Sequence, residues 1–221
     1  MGESFAINEG AIILDNLILV IQDNKEFLSD IDGAIGDGDH GINMSKGFTA
    51  CRTELNRNSG DLIHGFNILS RILMMRIGGS MGPLYGKFFQ AIAKTLEGNS
   101  VVDKVLWGKA NDEVLNALGA LSPAKVGDKT MMDTLIPAVK TYRDALADNK
   151  SFPECLAALQ LAAIQGRDST EDMIAKVGRA SRLGERSRGV LDAGAVSCCL
   201  ILGSMSDSII QLLNCSDKQE K

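Results

Sequence analysis

Eight runs of apolar residues recur along this chain at the helical spacing of three to four, with no alternating run between them. They cover positions 8–27, 42–57, 61–77, 80–96, 101–121, 130–147, 152–177 and 191–213, with a break expected near 166–169. Helices of this kind, roughly 25–30 Å long and joined by short connections, pack as antiparallel neighbours. The predicted fold is therefore all-α, a single domain over residues 1–221 built as an eight-helix up-and-down barrel or bundle. No convincing strand stands out, and the polar tail 214–221 is expected to fray.

Such a topology sorts the connections by end. Residues 30–41, 78–83, 126–130 and 178–189 fall together, beside the starts of the second, fourth, sixth and eighth helices. The connections at 56–60, 97–100 and 148–151 are short polar turns at the opposite end. The chain carries 23 glycines against only 5% aromatics. A glycine inside a helix costs about 1 kcal/mol, so their placement matters. Most cluster at the first end, which reads as backbone permission for a phosphate-binding mouth; helix starts with glycine approaches favour anions. Gly47, Gly65, Gly108, Gly119 and Gly203 fall inside the predicted helices and are assigned to close helix packing.

The sharpest motif is Asp32, Asp37 and Asp39, three carboxylates within eight residues. Hard oxygen ligands on a flexible loop suit Mg²⁺, which shares its shell with substrate phosphates. Gly36 to Gly41 fits GxGxxG, but a helix precedes it where a dinucleotide fold needs a strand. No Walker A loop is present. Gly78 to Pro83 opens the fourth helix, and Gly127-Asp128-Lys129-Thr130 opens the sixth, where Lys129 is placed to neutralise phosphate. Arg179, Arg182, Arg186 and Arg188 make a cationic segment suited to cover phosphates.

Composition removes other classes. Twenty-three Lys and Arg against 28 Asp and Glu give a net charge of −5. With a pI near 5.1, nucleic acid is not the expected partner. The longest apolar stretches, 11–21 and 193–205, fall short of the ~18–20 residues a membrane span needs, so no membrane is expected. Five cysteines with no CxxC spacing and an acidic N-terminus lacking a signal pattern read as a reduced cytoplasmic protein.

Together the motifs resemble the nucleotide-binding L subunits of dihydroxyacetone kinases. The matching stretches are Asp32 with Gly36 to Met44, Gly82 to Gly86, Gly127 to Met131, and Gly178 through Ser187 to Gly194, in family order over nearly the whole chain. The resemblance implies a helical barrel with ADP or ATP and two Mg²⁺ at one end. By position it makes Asp32, Asp37 and Asp39 the metal ligands. His40, Gly41, Ile42, Asn43, Ser80 and Met81 would touch phosphates, and Met131 would flank the base. Arg179, the implied catalytic residue, would close the site with Asp192, Ala193 and Gly194. Two positions depart from the family pattern: Met81 stands where relatives carry serine before Gly-Pro, and Ala193 where they carry proline.

The resemblance further implies a partner K subunit that binds dihydroxyacetone through a histidine. It also implies a phosphohistidine-bearing phosphocarrier subunit that rephosphorylates bound ADP, with a homodimer as a compatible assembly. Phosphoryl transfer asks for positioning and charge neutralisation. Three carboxylates and ATP (about −4) against two Mg²⁺ leave about −3, assigned to Arg179, Lys129 and the helix starts. The competing readings are an ATP-dependent kinase subunit for another small keto-sugar and a nucleotide-dependent coactivator of a transcription regulator.

Overall fold

The computed structural model describes residues 2–219. Its helices are α1 (Ala11–Asp23), α2 (Lys25–Ile35), α3 (His40–Arg57), α4 (Leu62–Arg76), α5 (Met81–Leu96), α6 (Lys104–Gly119), α7 (Met131–Ala147), α8 (Phe152–Ser169) and α9 (Ala193–Gln219). Consecutive helices from α3 to α9 pack against one another, and α1 touches both α9 and α3, which closes the ring. Phe48, Phe66, Phe88 and Phe89 meet inside it as stacked and edge-on rings.

Four expectations need correction. The first predicted helix is two: the chain bends at Asn24 and resumes as α2, so Asp32 is helical rather than in a loop. Leu28, Ile31 and Ile35 recur at helical spacing and bury this second helix, Leu28 and Ile31 against Ala193 and Val196 of α9. A two-stranded antiparallel sheet does exist, β1 (Ser4–Ala6) with β2 (Val101–Asp103), pairing Phe5 with Val102. Three-residue strands are too short to show a period, and α6 accordingly starts at Lys104. The seventh predicted helix stops at Ser169, with a separate 3-10 segment at Arg179–Ser187. Of the polar tail, the part to Gln219 continues α9, and residues 220–221 lie outside the described residues.

The fourth correction concerns hydropathy. Ala193–Cys215 is, by length and composition, apolar enough to cross a membrane, with mean hydropathy 1.6. The fold uses it as a core helix: 61% of that window is buried, and α9 packs on α1, α2, α7, α8 and β1. All five cysteines are free thiols.

At one end of the ring, α4, α6 and α8 start with side-chain caps. Asp61 accepts from the His64 N–H at 2.9 Å, Asp103 from Leu106 at 2.7 Å, and Ser151 forms a capping box with Glu154. Glycine also sets the spacing of the ring. Gly47 and Gly65 back onto Leu73, Ile77 and Leu14, and Gly108 faces Tyr142, whereas Gly119 and Gly203 have open space and no packing reason. On α7, Pro137 lacks the N–H that would bond the Asp133 carbonyl, and Gly166 of α8 seats its backbone against that same oxygen. The C-terminal end of α8 is thereby held close to the start of α7.

Candidate active site

The acidic cluster forms where α2 ends and a tight turn leads into α3. Asp32, Asp37 and Asp39 each present a carboxylate oxygen, and these oxygens lie within 4.8 Å of one another. Gly38 makes the turn with φ +74°, a left-handed conformation open to glycine. Asp32 is half-buried and its carboxylate accepts the His40 backbone N–H at 3.2 Å, which fixes it beside the start of α3. Asp37 and Asp39 are exposed, and Arg179 forms an ion pair with Asp37. Like charges this close require positive charge between them, and the donor set is the hard-oxygen kind that Mg²⁺ takes. The residues fit the ion.

Next to the cluster, Asp39 makes no side-chain bond to the start of α3, where Asp32 holds the His40 N–H. The N–H groups of Gly41 and Ile42 therefore have no carbonyl behind them, the usual condition at a helix start. Gly41 permits this placement, because a Cβ there would run into the Lys25 carbonyl and the Ser29 hydroxyl of α2. Asn43 sits half-buried on the same turn, its N–H bonded to the Asp39 carbonyl at 2.9 Å. At α5 the pattern repeats. Ser80 is exposed and makes no cap, and Gly82 lies directly on the Ile77 and Leu73 carbonyls.

His40 is used inward. Its ring is buried, with Nε2 2.8 Å from the Ser197 hydroxyl, which is itself 2.6 Å from the Tyr85 hydroxyl. Tyr85 also reaches the Gly194 carbonyl at 3.3 Å. Burial holds the imidazole down to about 4, against the opposing pull of Asp32, so it is neutral at pH 7. This chain of bonds joins the first turns of α3, α5 and α9. The starts of these helices converge, as the topology predicts.

The floor of the site comes from α7 and α9. Met131 is buried, and its backbone packs against Gly194. Asp192 caps α9 by accepting the Ala195 N–H at 2.7 Å. Burial pushes its carboxyl up to about 7, partly offset by that N–H and by Lys129. Ala193 is buried against α2.

Lys129 departs from the expectation that it neutralises phosphate. Its side chain is almost fully buried, at 1% exposure, and Nζ donates to the Thr170 and Val190 carbonyls, both at 2.5 Å. Arg179, in contrast, reaches the acidic cluster as the sequence suggests. Sequence reasoning assigned no role to Ser197 or Thr170. The signal for Ser197 was available: it is a polar residue one turn into an apolar helix, three positions after Gly194.

The chain is similar to known proteins over most of its length. The DAK2 domain profile matches residues 34–207. The ADP-binding subunit of PEP-dependent dihydroxyacetone kinase 2 from Listeria innocua is 33% identical over 204 residues, covering 89% of this chain and 92% of that protein. The ADP-binding subunit of the PTS-dependent dihydroxyacetone kinase of Lactococcus lactis is 32% identical over 190 residues, covering 86% and 91%. The crystal structure of the dihydroxyacetone kinase of C. freundii superposes with a TM-score of 0.64 at 25% identity, covering 89% of this chain and 33% of that one. A DAK2 domain over most of its length and relatives of matching extent lead to one conclusion: the chain belongs to the family of dihydroxyacetone kinase ADP-binding subunits.

Proposed function

We propose that this chain is the ADP-binding subunit of a PEP-dependent, phosphotransferase-linked dihydroxyacetone kinase working in the cytoplasm. The observation that carries the reading is the clustering of Asp32, Asp37 and Asp39 beside the uncapped start of α3 and under Arg179. Its relatives of similar length are named for that role.

In this reading Asp32, Asp37 and Asp39 hold two Mg²⁺ ions. The phosphates lie against the backbone of His40, Gly41, Ile42 and Asn43 and against Ser80 and Met81. Met131 flanks the base, and Asp192, Ala193 and Gly194 close the floor. Bound Mg-nucleotide supplies the transferable phosphoryl group, with the metal neutralising charge on its oxygens. The chain supplies position and field. The free N–H groups of α3 donate to anionic oxygens, and the dipoles of α3 and α5 point the same way. Arg179 adds a guanidinium suited to charge that spreads over phosphoryl oxygens in transfer. Neutral His40 braces the first turn of α3 from behind, so that the donors stay where the phosphates arrive.

Dihydroxyacetone would be held by a separate K subunit facing this mouth, and a phosphohistidine-bearing carrier would recharge the ADP in place. Mass spectrometry of the nucleotide released from purified protein, with its exchange against added ATP, tests this. The reading expects stoichiometric ADP that does not exchange. Free turnover of ATP with the K subunit would overturn the phosphotransferase link, and absence of any nucleotide affinity would overturn the whole reading.

A further inference from the structure

Lys129 is a buried cation that the phosphate chemistry does not use. It sits in a left-handed backbone conformation, φ +61°, which a residue with a side chain adopts only at some cost. Burial of its ammonium lowers its proton affinity, while Asp192, Glu171, Asp133 and Asp172 raise it. The fold spends this on two carbonyls, Thr170 and Val190, which lie 20 residues apart in sequence but bond to the same Nζ.

Those two carbonyls bracket the loop that carries Arg179. Thr170 is where α8 ends, and Val190 lies just before α9. The neck is also drawn together by the Gly189 N–H on the Glu171 carbonyl at 2.8 Å and the Asp192 N–H on the Thr170 hydroxyl at 3.0 Å. The turn preceding α7 grips the loop a second time, where the Lys176 N–H meets the Asp128 carbonyl at 3.1 Å. Beyond that point the loop runs along α2 and makes the Arg179–Asp37 ion pair.

We infer that Lys129 is a positioning residue: its ammonium clamps both ends of the 171–189 loop to the start of α7 and so sets Arg179 over the acidic cluster. Charged donors to carbonyls are stronger than neutral ones, and a charge suits a clamp that must hold two strands at once. The inference rests on the proposed kinase reading, and its test separates the two.

The full chain is assayed with its dihydroxyacetone-binding and phosphocarrier subunits and, alone, by limited trypsin digestion. The variants are Lys129→Met, Arg179→Gln and the pair. Lys129→Met is expected to lower kcat by about tenfold to a hundredfold with KM for dihydroxyacetone unchanged, because a slightly misplaced catalytic group costs that much. The double variant should be no slower than Arg179→Gln alone, since Lys129 acts through Arg179. In the nucleotide-free chain, trypsin should cut at Arg179, Arg182 and Arg186 about tenfold faster in Lys129→Met, with other sites unchanged. Additive losses, or unchanged cutting of the loop, would overturn the inference. Should Lys129→Met fail to fold, Lys129→Gln is read the same way, and failure of both would overturn it, since Lys129 would then hold the fold rather than the loop. A wild-type chain that binds no Mg-ADP, together with selective loop cutting in Lys129→Met, would sink the kinase reading and leave the clamp standing.

Discussion

Helix starts at the two ends of the ring use the same residue types in opposite ways. Asp61, Asp103 and Ser151 precede α4, α6 and α8 with extended ψ of −177°, 177° and 162°, and each turns its side chain onto a first-turn N–H. Asp39 and Ser80 precede α3 and α5 with ψ of −8° and −22°, and neither caps its helix. A capping oxygen typically reaches the N–H groups from an extended residue. The far end is therefore closed on itself, whereas α3 and α5 at the mouth keep their donors for something else. α7 and α9 also start at the mouth but are capped, α7 by Thr130 and Asp133 and α9 by Asp192, so the free donors there belong to α3 and α5. The difference shows that polar residue type does not make a site; the backbone angle that aims or withholds it does.

The comparison breaks most readily at the carboxylates. Asp37→Asn or Asp32→Asn should weaken Mg²⁺-dependent ADP binding about a hundredfold or more by isothermal titration, since even indirect disturbance of a metal site costs up to that much. Unchanged affinity would return the cluster to a solvated turn. Next come the glycines at the mouth. Gly41→Ala and Gly82→Ala drive a methyl into backbone carbonyls and should cost about 2–3 kcal/mol in chemical denaturation. Gly203→Ala, inside α9 with open space around it, should instead gain up to about 1 kcal/mol.

A smaller effect follows from Asp192, whose carboxyl is raised by burial to about 7. The native chain keeps this proton while the unfolded chain has lost it. Stability should therefore fall as pH rises from the ordinary carboxylate range to about 7 and level off above it. Asp192→Asn keeps the acceptor for Ala195 and should flatten that fall, by about 1–2 kcal/mol once partial exposure is allowed for. Smallest are the caps themselves. Ser151→Ala should cost about 1 kcal/mol and leave ADP binding alone, whereas Ser80→Ala should change stability by less than about 0.5 kcal/mol. Equal losses at both would erase the distinction between the ends.

Much of this architecture was legible in the residues because long amphipathic helices announce themselves by period. The bend at Asn24 was not, although Leu28, Ile31 and Ile35 carried the stripe of a second helix; the polar Ser29, Asp30 and Gly33 between them disguised it. At the site, the gathering of Asp32, Asp37 and Asp39 with Arg179 beside them follows from charge and spacing and was readable in advance. Lys129 was not, because a lysine near a helix start and a lysine buried against two distant carbonyls look alike until the chain is folded. The inward turn of His40 onto Ser197, 157 positions away, is likewise a fact of packing alone.

The central claim is that the open end binds nucleotide through metal. Its most direct test is titration of ADP into nucleotide-stripped wild-type protein, with Mg²⁺ and with the metal chelated. The account predicts one ADP per chain and an affinity that falls about a hundredfold or more on chelation. Equal affinity in both conditions, or no binding in either, would contradict it.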